Sequence, residues 1–394
     1  MKFGYFLLLV LIVVQYVLFF PSPLSGEEAI TDVLRWAVVD SPGEKGNVIV
    51  SPSEVNKIAV GRGNTIYAID SQNNIVYRTD NAGLSWEDIT EGLTRVGATL
   101  PIVDIVVAPD QAAIVAVVTS GRKAVFISDD AGATWYNTSV PAITGEIWHI
   151  DISTSYQKSG TALVRDLGIG TADWDGLVTN GQVWTAQFGE NTISAWKNQN
   201  IAAGYDVSAI AFAPSYKENQ AILVVASTTT DTRLCIGERD LDAQTTKWNN
   251  ISGYPVDIVN SGDSGPDILS NIAMPDNYSA ILSTRRVTFV SFYRDTVAID
   301  ADDNIYRIND STSEAMGLNE KIYSISLYGS VSDSGYTVGG DGILLAGAVD
   351  ADATGYAVPV YRQDRRPISR RSNRLRDAPC PMAYRNGPPR LCCK

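Results

Sequence analysis

The sequence predicts an all-β fold made of repeated four-stranded units, and three observations carry that expectation. Short runs rich in Val, Ile and Ala, such as Ile66–Ile69, Ile102–Ala108, Ile114–Val118 and Ala221–Ala226, are punctuated by Gly, Asn, Asp and Ser. After the N-terminal apolar segment, no stretch sustains a helical period of apolar residues. One hairpin phrase also recurs three times. Ala68-Ile69-Asp70 precedes Val76-Tyr77-Arg78-Thr79-Asp80, Ala298-Ile299-Asp300 precedes Ile305-Tyr306-Arg307-Ile308-Asn309, and Ala348-Val349-Asp350 precedes Val360-Tyr361-Arg362-Gln363-Asp364.

A second phrase opens several units: Ile105–Asp110, Ile210–Pro214 and Ile272–Asp276. Each ends an apolar run on Pro, which cannot donate to a strand ladder. Trp86, Trp135, Trp196 and Trp248 follow at intervals of 49, 61 and 52 residues, room for one four-stranded sheet per period. Such a sheet has two apolar faces, and radial stacking buries both. The expected architecture is therefore a β-propeller of about six blades, starting near residues 50, 101, 146, 206, 268 and 322. The last blade reads as incomplete and the parent fold as seven blades or more.

The chain divides into residues 1–26 as a signal peptide or signal anchor, 27–49 as a lead-in, 50–364 as the propeller and 365–394 as an atypical tail. Lys2 and the apolar run Phe6–Phe20, followed by Pro21-Ser22-Pro23, predict export, with residues 5–20 able to act as an anchor. The expected location is the cell envelope or the outside of the cell. Hydrophobic residues make up 45% and charged residues 19%, a globular balance. The net charge of −13 argues against nucleic acid or anionic lipid as main partners. The tail alone carries +8 (eight Arg and one Lys against Asp377), leaving −21 for the rest. It also holds Cys380, Cys392 and Cys393, so the body keeps only Cys235 and no internal disulfide. Pattern, acidity and repeat all stop at Asp364. The tail reads as a frameshifted or misjoined end, and an unclosed ring is the expected consequence.

Two of the tryptophans close a recognisable motif. Ser128-Asp129-Asp130-Ala131-Gly132-Ala133-Thr134-Trp135 resembles the Asp-box of sialidase-type (BNR) repeats, with key positions Ser128, Asp130, Gly132, Thr134 and Trp135. Thr79, Asn81, Gly83, Ser85 and Trp86 form a second copy, with Asn81 in the Asp position. Asn191–Trp196 and Asp242–Trp248 resemble decayed copies. The resemblance covers roughly residues 50–364 and spans sialidases, sortilin-type receptors, photosystem II assembly factors and microbial surface proteins. It implies a turn between the outer strands of each blade, away from the functional face. The motif's chemistry is that of a staple: the carboxylate accepts turn amides, Gly supplies an unusual backbone shape and Trp packs between strands. Fold alone assigns no function.

Few residues offer chemistry. A sialidase would need an Arg triad and an Arg-Ile-Pro motif; the latter is absent, and Arg366-Pro367-Ile368 reverses its order. A glycan-acting enzyme would draw on Asp173, Trp174 and Asp175, two carboxylates beside an aromatic platform. His149, the single histidine, sits in a strand phrase and reads as a satisfied structural residue, and Cys235 reads as a small buried hydrophobe. That scarcity argues against zinc or copper. Calcium is the one cofactor left open, through Asp300, Asp302 and Asn304 or through Asp350 and Asp352; both sets fall in hairpin turns and lack the expected twelfth-position acid. Gly339–Gly342 lacks the Lys and helix of a phosphate loop. The leading expectation is a non-catalytic surface propeller that docks an envelope or membrane protein, a glycan or its own copies.

Overall fold

The computed structural model describes residues 35–39, 55–158, 163–173, 180–189, 192–259, 268–294, 302–330, 343–348 and 360–364, with 35–39 and 360–364 described by their backbone. The compact body runs from Trp36 to Asp364. Within it the chain forms six successive antiparallel sheets, five of them blades built from consecutive strands.

The first blade orders Val55–Val60, Ile66–Asp70, Ile75–Thr79 and Glu87–Asp88 from inside to outside. The second uses Ile102–Ala108, Gln111–Thr119, Val125–Ser128 and Tyr136–Asn137. Glu146–Ile152, Leu163–Ala172 and Val183–Gly189 build the third, finished by the short pieces Thr192–Ile193 and Lys197–Asn198. The fourth comprises Asp206–Phe212, Ala221–Ser227, Thr232–Asp240 and Thr245–Trp248, and the fifth Ile268–Ala273, Val287–Arg294, Asn304–Asn309 and Thr312–Ala315. Among the described residues, helix is limited to Thr90–Arg95, Tyr216–Asn219 and a single turn at Ser283–Arg285. The chain is a β-propeller, and its units begin within five residues of the positions the repeat register predicts.

The sixth sheet departs from the sequence expectation. Ile322–Tyr328, Ile343–Ala348 and Val360–Asp364 supply three strands, as an incomplete C-terminal unit should. The fourth is Arg35–Val39, from the segment read as a lead-in. Two Val and an Ala in five residues carry too little periodicity to announce an outer strand by themselves.

Each blade buries its faces against its neighbours. Val107, Val117 and Trp135 of the second blade join Tyr67, Ile69 and Val76 of the first in one apolar cluster. Equivalent clusters bridge the second to third, third to fourth, fourth to fifth and fifth to sixth units. The third-to-fourth contact is close because Gly168 and Gly170 have no Cβ; one placed there would lie 2.7 Å from Ile210 and 2.6 Å from Val207. Among the described residues, no such cluster joins the sixth sheet to the first. On the innermost strands facing that seam, Ile58 is 59% exposed, Val60 68% and Tyr328 70%.

Innermost strands leave one backbone edge unpaired, which costs free energy unless something accepts their N–H groups. Side chains of the preceding blade do so here. Asp104 accepts the Ile150 N–H at 3.3 Å, His149 Nδ1 accepts that of Ile210 at 3.5 Å, and Asp151 accepts that of Phe212 at 2.7 Å.

Candidate ligand site at the mouth of the central channel

Strands alternate in direction, so the start of each innermost strand and the turn between second and third strands share one end of the ring. The turn between third and fourth strands lies at the opposite end. The two motif turns, Thr79–Trp86 and Ser128–Trp135, are of the latter kind. In the second blade, Ser128 Oγ donates to Asp130 Oδ1 (2.8 Å) and accepts the Gly132 N–H (2.8 Å). Asp130 also accepts the Thr134 N–H (2.8 Å) and hydroxyl (2.6 Å), and Trp135 Nε1 donates to the Gly132 carbonyl (3.0 Å). Burial raises the Asp130 pKa, but these hydrogen bonds outweigh it and hold the carboxyl below its ordinary range. The first blade repeats the pattern with an amide: Thr79 Oγ1 donates to Asn81 Oδ1 and accepts the Gly83 N–H, and Asn81 Oδ1 accepts the Ser85 N–H. Trp86 instead holds its Nε1 buried without a hydrogen-bond partner among the described residues. The later tryptophans reach the preceding blade: Trp196 Nε1 donates to Thr138 O (3.1 Å) and Trp248 Nε1 to Gln199 O (2.8 Å).

At the other end, the first strands converge on a cavity of about 300 Å³. Its wall includes Lys57, Arg122, Trp148, His149, Ser270 and Tyr323, drawn from five sheets, and among the described residues it has no carboxylate. Arg122 lies in the turn between second and third strands of the second blade, directly after Gly121. Its φ is +52°, a left-handed backbone that a non-glycine residue adopts at a cost of roughly 1–2 kcal/mol. The turn is pinned from both sides: the Arg122 carbonyl accepts the Ile147 N–H (2.7 Å), and its Nη1 donates to the Ile147 carbonyl (3.2 Å). The guanidinium carbon sits 4.4 Å from the centre of the Trp148 ring, a cation–π stack. Lys57 faces Asp104 at 3.7 Å behind the wall. Burial lowers the His149 pKa, so the imidazole is neutral near pH 7 and its Nδ1 is engaged by Ile210.

The residues expected to carry chemistry are placed as follows. Asp173 directly follows the second strand of the third blade, on the cavity side of the ring, and its N–H donates to Asp206 Oδ1 at 3.0 Å. Asp206 also accepts the Gly181 N–H at 3.0 Å, clasping the base of the loop; burial pushes its carboxyl up to about 6. Trp174 and Asp175 lie outside the described residues, as do Asp300, Asp350 and Asp352. The described members of the first calcium set are engaged with protein groups. Asn304 is buried, and its amide oxygen accepts the N–H groups of Ile305 and Leu318. Asp302 lies 3.6 Å from the Arg294 guanidinium. Among the described residues, no three His, Cys, Asp or Glu gather where they could hold a metal. Cys235 is buried in the cluster between third and fourth blades, its thiol pushed up to about 11 by burial.

Sequence reasoning passed over Arg122, Lys57 and Trp148. The available signal was the pair Arg122-Lys123 after a Gly in an acidic body, with Trp148 opening the next unit.

No family profile matches the chain, and no curated protein matches it by sequence. Among solved structures it is similar to an ancestral GH74 enzyme at 15% identity, covering 75% of this chain and 35% of that one, with a TM-score of 0.45. It is similar to YCF48 from Cyanidioschyzon merolae at 12% identity, covering 83% and 98%, with a TM-score of 0.34. The PQQ-bound aldose sugar dehydrogenase from Streptomyces coelicolor gives 12% identity, 84% and 98% coverage and a TM-score of 0.45. The chain spans 35%, 43% and 46% of the three GH74 structures it matches. These likenesses carry no activity across.

Proposed function

We propose that this chain is an exported, non-catalytic β-propeller of the Asp-box type that docks a component of the cell envelope through the channel mouth. The observation carrying the reading is how the ionisable groups around it are spent. Asp104, His149, Asp151 and Asp206 each accept backbone N–H groups that no strand ladder satisfies. General acid–base work needs a group free to reach substrate, and these groups hold the ring together. What the mouth presents instead is a stacked Arg, a Lys and an aromatic wall, a recognition surface. The hydrogen bonds of Asp130 and Asn81 support the Asp-box assignment. Lys2 with Phe6–Phe20 supports export, and the acidic body argues against nucleic acid.

Fractionating the native cells and detecting the full chain tests this reading, together with assays of the purified chain on polysaccharide substrates. Envelope enrichment without hydrolysis is expected. A cytosolic distribution, or hydrolysis above background, overturns it. The alternative, a glycan-hydrolysing enzyme, is favoured by one observation: Asp173 and Asp206 are neighbours on the cavity side, and Asp206 is poised near 6. Under that alternative, Asp206→Asn abolishes hydrolysis at every pH.

A further inference from the structure

We propose that the channel mouth binds a small organic oxyanion, a carboxylate or phosphate on a body of monosaccharide size, gripped by Arg122 and Lys57. This rests on reading the mouth as a binding surface, and three features point the same way. Among the described residues the wall contains two cations and no carboxylate, in a protein whose net charge is −13. That concentrates positive potential in one concave place, where low-dielectric walls strengthen it.

Arg122 is aimed. Both of its carbonyl contacts, to Ile147 at 3.2 Å and Trp148 at 3.5 Å, use Nη1. The Nε–Nη2 edge remains, a planar two-donor fork matched to two oxygens of one oxyanion. The left-handed backbone at φ +52° and the stack on Trp148 fix the fork before any ligand arrives. This preorganisation reduces the ordering cost of binding.

Ser270 borders the same cavity, but its hydroxyl is buried in the wall and offers no donor to it. Asp104 does not spoil the site. It is not among the described lining residues; one of its oxygens accepts its neighbour's N–H (Ile105), the other that of Ile150, and Lys57 lies 3.7 Å from it. The volume of about 300 Å³ sits at the small end of ligand pockets.

The test is calorimetric titration of the full chain with glucuronate, glucose 1-phosphate and glucose at low ionic strength. At least one anion is expected to bind and neutral glucose is not. Binding by glucuronate alone identifies a carboxylate ligand, and binding by glucose 1-phosphate alone a phosphate. Arg122→Gln should weaken the anion at least about tenfold, the loss expected for a charge-assisted pair. Arg122→Lys should recover part of it and Lys57→Gln should weaken it severalfold, while the exposed control Arg95→Gln leaves it unchanged. Melting temperatures verify that each variant is folded; should Arg122→Gln fail to fold, Arg122→Lys and Lys57→Gln decide. The proposal is overturned if neither anion binds the wild-type chain, or if folded variants at Arg122 and Lys57 bind as tightly as wild type. Loss of anion binding with envelope location intact sinks this inference alone. Hydrolysis of a chromogenic glucuronide in the same samples would instead sink the non-catalytic reading beneath it.

Discussion

Gly132 shows how much one motif residue carries. Its φ is +91°, and a Cβ there would stand 2.6 Å from Ile89 Cδ1 of the first blade. Gly132→Ala therefore meets backbone strain and a clash together, for an expected loss of roughly 2–4 kcal/mol. Gly97, also at positive φ (+81°) but with nothing within 4 Å, isolates the strain. Gly97→Ala should cost only about 1 kcal/mol. Urea midpoints of the two variants separate the contributions, and equal losses would show that the Ile89 contact is soft. At Asp130 the neighbouring blade supplies the control, since Asn81 makes the same turn. Asp130→Asn should be tolerated to within about 1 kcal/mol, whereas Asp130→Ala strands the Ser128 and Thr134 donors and should cost about 1–3 kcal/mol. This residue-level design was legible beforehand, because a local turn needs only neighbours in sequence.

At the scale of the blade, what binds neighbours was far less legible. The contact between third and fourth blades contains a buried polar cluster. Asp166 accepts the Tyr156 hydroxyl at 2.8 Å, the Tyr216 hydroxyl and Arg239 Nη2 at 3.0 Å, while Arg239 Nη1 donates to Gln199 at 2.6 Å. Asp166 and Arg239 lie 73 residues apart, and both side chains are fully buried. Nothing in sequence spacing pairs them. Arg239→Met leaves Asp166 buried without its cation, an expected loss of about 3–5 kcal/mol, and adding Asp166→Asn should restore part of it. A double variant no more stable than the single would contradict the pairing. The edge-capping acids make a second prediction. Burial pushes Asp151 up to about 7 in the folded chain, against 3.8 as the reference value. A raised acid holds its proton longer when folded, so its contribution to stability is fully present below about 3.8 and is lost progressively as pH rises from there through 7. Asp206, at about 6, acts in the same direction. Asp151→Asn keeps an acceptor for the Phe212 N–H and removes the charge. It should stabilise the chain by about 1–2 kcal/mol at pH 8, since Asp151 keeps some solvent contact, and by nothing at pH 3. Melts at both pH values check the sign.

Across the whole molecule, period and composition announced the ring while its closure stayed hidden. Repeats at about fifty residues and alternating apolar runs reveal a blade count, because every blade solves the same burial problem. Closure depends on one pairing between strands at opposite ends of the body, Arg35–Val39 with the sheet that ends at Val360–Asp364, and such a pairing leaves no local trace. Mechanically, that pairing joins the two ends of the propeller body within one sheet. The seam beside it shares no apolar cluster among the described residues and exposes Ile58 and Val60, so the strand pairing bears much of the load there. Disrupting the outer strand should therefore loosen the sixth sheet before anything else. Replacing Trp36 and Ala37 together with Pro removes two successive backbone donors, so one of them lies on the paired side whatever the register. Hydrogen exchange of the double variant should show amides of Ile343–Ala348 exchanging at least tenfold faster, equivalent to about 1.4 kcal/mol of local stability. Amides of Ala221–Ser227, wrapped by the third-to-fourth and fourth-to-fifth clusters, should keep their protection. Uniform acceleration across all blades would mean that the ring opens as one cooperative unit. Unchanged exchange in Ile343–Ala348 would show that the sixth sheet holds without its N-terminal strand.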